Sequence, residues 1–450
     1  MRRKIYDQLL EWKEKRSQKE ALLIDGARRV GKSWIVEEFA RKEYRSYILI
    51  DFSEASDTML DVFRTYRGKW DEFFMHLQLE TGKKLYPRES LIVFDEIQKF
   101  PEAREMIKYL MQDGRYAYIE TGSLMSINAN VKDINIPSEE HRIDMHPMDL
   151  EEFMWALGDD MMMDYVRECF AERKPLGQSL HRKMMDYLRL YMIVGGMPQA
   201  VAEWVESKDF DEVDRTKRNI LVLYRSDISK YAKGQEARVT KIFDTIPSQL
   251  QRHEKKFKLS ALGKGTRGRN VETAFFWLDE SRVVNTCFAA SEPSVGLEMK
   301  VEDASRKLYM ADTGLLISHA FTEAAIKAEE LYRKLMHDKL EVNKGMLVEN
   351  LVAQMLRTAG HRLYFFSSYK KTVAEERMEI DFLVPKPVIS SRHNIHPIEV
   401  KSSPRYTLTS IGRFAKKFDK YVAEPIVLHT SDVKVEDGVI YLPLYMGGLL

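Results

Sequence analysis

Short apolar runs alternate with helical patterns through the first third of the chain. Ala21–Ile24, Tyr47–Ile50, Leu91–Phe94, Tyr116–Ile119 and Ile143–Met145 read as strands, with helices between most of them. That alternation is the signature of a parallel sheet covered by helices on both faces. From about Asp149 to Tyr231 the spacing is helical, interrupted at Gly195-Gly196-Met197-Pro198. Further helical patterns cover Thr322 to Met336 and Gly345 to Val352, the latter amphipathic. Strand patterns return at Glu379–Val384 and Pro397–Lys401. No repeat of solenoid or propeller period is visible.

A chain of 450 residues corresponds to about three domains. With 44% hydrophobic and 31% charged residues, 22 Gly and 14 Pro, it should fold throughout. Seventy Lys and Arg balance 69 Asp and Glu, so no global field draws the chain to nucleic acid or to an anionic membrane. Cys169 and Cys287 belong to no metal-ligand spacing and read as reduced, packed thiols. The basic start Met1-Arg2-Arg3-Lys4 is followed by polar residues instead of an apolar core, and no run approaches 18 apolar residues. A cytoplasmic protein without a membrane partner is expected. Met161-Met162-Met163 reads as core filling.

Directly after the first strand stands Gly26-Ala27-Arg28-Arg29-Val30-Gly31-Lys32-Ser33, then a helix whose Trp34, Ile35 and Phe39 are expected to face the sheet. The spacing is that of a phosphate-binding loop. Its glycines let backbone N–H groups curl around phosphate oxygens, Lys32 reaches the outer phosphates, and the Ser33 hydroxyl can hold Mg²⁺. Leu91–Phe94 ends in Asp95-Glu96. Asp95 is placed to hold Mg²⁺ through water, and Glu96 to polarise the attacking water of a hydrolysing NTPase. A helix N-cap is the plain alternative for such acids.

The next strand ends in Glu120-Thr121-Gly122-Ser123, and the fifth is led by His141-Arg142. This order of parts resembles the AAA+ ATPases. The resemblance implies ATP with Mg²⁺, a sensor hydroxyl at Thr121 or Ser123, and an arginine finger at Arg142, which in trans would require a homo-oligomer. A solvated strand-edge cation is the alternative for Arg142, and His141 stands where relatives commonly carry Gly.

Between Arg215 and Tyr309 there are 19 Lys and Arg against 11 Asp and Glu. The excess gathers at Arg252, Lys255, Lys256, Lys258, Lys264, Arg267 and Arg269. Around it, Leu259–Leu262 starts a short helix, Gly263 to Gly268 makes a turn, and Val271, Phe275 and Leu278 mark a second helix. Arg282–Asn285 and Lys307–Met310 complete a winged helix-turn-helix pattern. Residues 252–269 are thus a candidate contact to DNA or other nucleic acid; the same fold also serves as a protein-contact module.

In the last hundred residues the period-two rule places Glu399 and Lys401 on one face of their strand. With Asp381 on a neighbouring strand, two acids and a lysine can converge on Mg²⁺ or Mn²⁺ and a phosphodiester. The pattern resembles the PD-(D/E)xK restriction-endonuclease-like nucleases, which implies Asp381 as the first acid, Glu399-Val400-Lys401 as the ExK, and Glu349 as an additional helical carboxylate. A degenerate module with surface acids is the alternative, and His393 and His396 read as surface histidines. Nearly the whole chain is similar to a broad family of prokaryotic AAA-type ATPases, on Gly26–Ser33, Phe94–Gln98, Thr121–Ser123, Gly195–Pro198, Lys307–Leu315 and Glu379–Ser403. The expected organisation is a P-loop AAA+ domain (1–150), a helical lid (151–238), a winged-helix-like domain (239–320), a helical linker (321–342) and an α/β restriction-endonuclease-like domain (343–450). Its expected function is an ATPase that switches a nucleic-acid-associated module, either a metal-dependent nuclease or an inert regulator.

Overall fold

Residues 21 to 25 have no exposed side chain, and they form an interior strand of the first sheet in a computed structural model. The structure describes residues 1–123, 138–252, 256–262, 271–321, 327–337, 344–368 and 376–450. Its contacts divide the chain into two units, Met1–His146 and Pro147–Leu450.

In the first unit, α1 (Ile5–Lys15) precedes β1 (Ala21–Asp25) and α2 (Lys32–Glu43). There follow β2 (Ser46–Asp51), α3 (Asp57–Thr65), α4 (Trp70–Thr81), β3 (Ser90–Asp95), α5 (Pro101–Asp113), β4 (Ala117–Gly122) and β5 (Glu140–Asp144). The five strands are parallel, in the order β2-β3-β4-β1-β5. Each expected strand is present within a few residues; β1 and β3 bury apolar side chains at successive positions on both faces, whereas the edge strand β5 buries only Ile143. A cluster of phenylalanines including Phe52, Phe63, Phe73, Phe94 and Phe100 packs α3, α4 and α5 against one face. One expectation fails: Ile35 and Phe39 of α2 are buried, but Trp34 is 50% exposed. At 100° per residue, Trp34 and Ile35 lie on different sides of the helix, and Ile35 shares its side with Phe39.

The second unit opens with helices α6 (Leu150–Ala156), α7 (Met162–Glu172), α8 (Gln178–Val194), α9 (Pro198–Ser207), α10 (Phe210–Tyr231) and α11 (Glu236–Leu250). Asp149 and Glu152 make a reciprocal capping box at the start of α6. Met162 and Met163 fill the interior as expected, whereas Met161 is exposed. A short 3₁₀ turn at Leu259–Leu262 and α12 (Glu272–Glu280) lead into an antiparallel hairpin of β6 (Val284–Ala290) and β7 (Val301–Met310). After α13 (Thr313–Ala320), α14 (Ala328–Met336) and α15 (Lys344–Thr358) come β8 (Leu363–Ser368), β9 (Met378–Ile380), β10 (Phe382–Pro385), β11 (Ile395–Val400), α16 (Thr409–Lys417), β12 (Ile426–His429), β13 (Lys434–Glu436) and β14 (Val439–Pro443).

Three findings here differ from the sequence pattern. The hairpin expected as a wing has a third neighbour, since β6 also pairs in parallel with β8, giving a sheet ordered β7-β6-β8-β9. Helix α15 is buried at every position from Met346 to Leu356, not on one face. Its polar residues Glu349, Asn350 and Gln354 are paired inside, which makes that burial tolerable. The strand expected over Glu379–Val384 is broken at Asp381, whose carboxylate accepts the Val400 N–H at 2.9 Å. Its two halves enter different sheets: β9 joins β8, while β10 pairs with β11 in a sheet ordered β10-β11-β12-β14-β13.

The Gly195–Pro198 and Asp312–Leu315 phrases meet in one buried polar knot. Asp312 caps α13 at Leu315 N (2.8 Å) and accepts from Gly196 N (2.5 Å) and Gln354 Nε2 (3.4 Å). Gln354 Oε1 in turn accepts from both N and Oγ1 of Thr313 at 2.8 Å, and its Nε2 donates to Tyr191 Oη at 2.9 Å. Tyr191 donates to Met148 O (2.7 Å), and Met148 N to Gly196 O (2.7 Å). Segments distant in sequence are thereby locked by bonds that leave little room for side chains at Gly195, Gly196 and Gly314.

Candidate functional site: a phosphate-binding loop and a carboxylate cluster

Beyond the carboxyl end of β1 the backbone turns through Arg29 (φ +71°) and Gly31 (φ +95°). Left-handed residues alternating with ordinary ones point successive N–H groups inward, and only glycine adopts such angles without strain. Lys32 opens α2 and its buried Nζ donates to Gly26 O and Ala27 O at 2.9 and 3.0 Å, so its charge lies inside the loop. Burial pulls its pKa down against the opposing pull of Glu96, Asp25 and Asp95.

Around Asp95 the oxygens gather. Ser33 Oγ donates to Asp95 Oδ1 at 2.9 Å, and Thr121 Oγ1 donates to the same oxygen. Glu96, in a left-handed conformation (φ +52°), accepts from Gln98 Nε2. Ser123 follows β4 and is half-buried. The structure therefore brings together Lys32, Ser33, Asp95 and Thr121, with Glu96 beside Asp95 in the chain. This set of hard oxygens fits Mg²⁺.

The loop's foundations were not visible in the sequence. Arg3, buried, donates to Val30 O at 2.9 Å and to His146 O at 2.7 Å. Gly26 lies so close to Met145 that a Cβ would overlap its carbonyl. Arg142 sits on the edge strand β5 and pairs with Asp25 Oδ2 at 2.6 Å, with Asp144 at 3.8 Å. Any action of Arg142 on a neighbouring subunit requires this pair to open. In the core, Arg104 makes a bidentate pair with Glu140 and lies 3.7 Å from Glu120. Burial, then Glu140, pushes the Glu120 carboxyl well above the usual carboxylate range, against the pull of Arg104.

In the second unit, Lys307 and Tyr309 share a face of β7 and meet Glu349 of α15. Tyr309 donates to Glu349 Oε1, and Lys307 Nζ lies 3.3 Å from the same oxygen. Lys307 also contacts Glu379 Oε1 at 2.8 Å and Asp381 Oδ1 at 3.9 Å. Burial pulls the pKa of this lysine down, but Glu349, Glu379 and Asp381 outweigh burial and hold it well above the ordinary range. Glu399, one step beyond the Phe382–Ile398 pair, is buried and bonded to Lys401 at 2.9 Å. Burial raises its pKa against the pull of Lys401. Asp381, Glu349 and Glu379 thus converge, and Glu399 pairs with its own lysine. Among the described residues no three His, Cys, Asp or Glu side chains are grouped as metal ligands. Lys307 and Glu379 each stand in a phrase legible in the sequence, but their partnership spans about seventy residues of chain and has no local signal. His393 and His396 each bond a backbone carbonyl, of Val422 and Glu424.

Of the basic residues in the middle region, Arg252 and Lys258 are exposed and Lys256 lies over the Phe365 ring at 5.9 Å. Lys255, Lys264, Arg267 and Arg269, with the turn from Gly263 to Gly268, lie outside the described residues, as do residues 322–326 of the helical stretch before Met336. Among the described residues no helix is long and apolar enough to cross a membrane.

Residues 18–154 match the family model of an AAA domain. That segment is an AAA-type P-loop ATPase domain. Residues 185–325 and 344–446 match two domains of unknown function, DUF8612 and DUF4143. No curated protein matches the chain. Similar solved structures include a Walker-type ATPase of Pyrococcus abyssi, 17% identical over 71% of this chain and 95% of that one, with a TM-score of 0.41. Cdc6p from Pyrobaculum aerophilum is 12% identical over 75% and 94%, with a TM-score of 0.26. The S. cerevisiae Hsp104–ADP complex is 13% identical over 78% of this chain and 43% of that one, with a TM-score of 0.26. The AAA domain brings with it ATP as the nucleotide to be bound, and its parallel five-stranded sheet is the AAA+ P-loop fold.

Proposed function

We infer that the chain is a Mg²⁺-dependent ATPase whose nucleotide state switches a carboxyl-terminal, nuclease-like module. The observation that carries this reading is the convergence of the Ser33 and Thr121 hydroxyls on one oxygen of Asp95, beside Lys32 and Glu96. ATP supplies the phosphoanhydride and Mg²⁺ the neutralisation of its charge. Ser33 and Asp95 hold the metal, Lys32 faces the outer phosphates, Glu96 orients water with Gln98 setting its carboxylate, and Thr121 or Ser123 senses the terminal phosphate. The order α11, 3₁₀ turn, α12 and β6–β7 hairpin supports a winged-helix module, with 252–269 as its nucleic-acid contact. Its test is DNA binding at several salt concentrations. Neutralising Lys256, Lys258, Arg267 and Arg269 together should weaken binding and flatten the slope of log affinity against log salt by about 3–4. An unchanged slope would assign this face to a protein partner.

For the carboxyl-terminal module, the meeting of Asp381 with β11 favours phosphodiester cleavage with Mg²⁺ or Mn²⁺, using Asp381, Glu399 and Lys401 with Glu349. Wild type is expected to cut at least one of single-stranded, double-stranded and branched DNA or RNA, with a rate that depends on ATP. Glu399→Gln and Lys401→Ala should each lower that rate by roughly 10²-fold or more. No cleavage of any of these substrates would leave an ATP-switched regulator with an inert module.

A further inference from the structure

The ammonium of Lys307 is fully buried and is enclosed on several sides. Glu379 approaches it at 2.8 Å, Glu349 at 3.3 Å and Asp381 at 3.9 Å, while the Phe365 ring lies 4.9 Å away. Two of these acids are oriented by other donors: Tyr309 Oη holds Glu349, and the Val400 N–H holds the second oxygen of Asp381. Asp381 and Glu349 are the same carboxylates that a nuclease-like reading assigns to metal. We propose that Lys307 is the resident cation of this carboxylate cluster and keeps divalent metal out of it.

Electrostatics makes the two occupants exclusive. A divalent ion binds carboxylate oxygens at ~2.0–2.6 Å. Placed among these acids, it would stand a few ångströms from a buried ammonium with little solvent between them, where like charges repel strongly. Removing the ammonium instead takes a positive charge away from one buried and two partly buried carboxylates, a state that favours either protonation or uptake of a cation. Lys307 stands on β7, directly opposite Cys287 of β6, whereas its acids come from α15, from β9 and from the β9–β10 break. A metal-dependent reaction at Asp381 therefore requires the hairpin to withdraw its lysine. The inference deepens the nuclease-like reading and rests on it for the choice of carboxylates, but its test is metal binding, not cleavage.

Nucleotide-free full-length chain would be titrated with Mn²⁺ while free Mn²⁺ is followed by electron paramagnetic resonance. Lys307→Met is expected to take up one Mn²⁺ per chain at least roughly tenfold more tightly than wild type, and Lys307→Met combined with Asp381→Asn to lose that gain. Because the single variant can fold poorly, its melting temperature is measured as well. It should fall in EDTA and recover in Mn²⁺, while that of wild type stays unchanged. Equal Mn²⁺ affinity in wild type and Lys307→Met overturns the proposal, and so does a variant that neither binds nor recovers. Metal gain by Lys307→Met without cleavage of any nucleic acid upholds the lysine's role and removes the nuclease reading. Mn²⁺-dependent cleavage by wild type, with Mn²⁺ affinity equal to that of the variant, does the reverse.

Discussion

Lys32→Ala is expected to abolish ATP binding, whereas Glu96→Gln should bind ATP normally and lose turnover by roughly 10²- to 10⁴-fold. The two outcomes separate because the residues act at different moments. Lys32 is buried within the loop, and its ammonium donates to the Gly26 and Ala27 carbonyls. Replacing it with a methyl removes charge from a desolvated site, where each interaction counts for more than in water. Glu96 makes its described bond to Gln98 and adjoins Asp95, so its amide analogue keeps the local packing while losing the capacity to take a proton. Fluorescent-nucleotide titration and phosphate release measure the two effects independently. Tight nucleotide binding by Lys32→Ala would remove the loop from the nucleotide site, and unimpaired turnover by Glu96→Gln would move the base elsewhere.

Gly195→Ala should be among the most destabilising single substitutions in the second unit, at about 3–5 kcal/mol. Gly195 has φ +88°, a region that costs an L side chain strain of its own, and an added Cβ would overlap the buried Asp312 carboxylate. That carboxylate cannot yield without releasing Gly196 N, Leu315 N and Gln354. Gly314→Ala meets the backbone of Val194 and Gly195 and should show a comparable loss. Gly234 also has a positive φ but nothing within contact of an added Cβ, so Gly234→Ala should cost only the backbone strain, about 1–3 kcal/mol. Denaturant unfolding of the three variants compares them, and equal midpoints would refute the crowding explanation.

The parts of the molecule that were legible in the sequence are those whose determinants are local. Four of the five parallel strands carry their own apolar run, and Gly26–Ser33 carries the phosphate-facing residues of the loop in eight positions, though not the Arg3 that braces it. The carboxyl-terminal acids were legible as a set, but not their arrangement. Glu379-Ile380-Asp381-Phe382 alternates as a strand should, and nothing in that alternation shows that Asp381 spends an oxygen on Val400 and breaks the ladder. Helix α15 has the composition of a one-sided helix, yet Asn350 and Gln354 are satisfied by β7, α13 and α8, partners far away in sequence. Lys307 was legible as part of a motif only. Its role depends on three acids that arrive forty to seventy-five residues later.

The parallel pairing of β6 with β8 has a consequence for how such chains are inherited. One matched segment ends at residue 325 and the next begins at 344, so the shared sheet is divided between them, with β6 and β7 in the first and β8 and β9 in the second. A recombination event at that boundary would give the new carboxyl-terminal half a foreign strand to pair with, and would give Glu349 and Asp381 a foreign residue in place of Lys307. Exchange of either segment alone would thus disturb both the sheet and the Lys307 cluster, although the two read as separate domains along the chain.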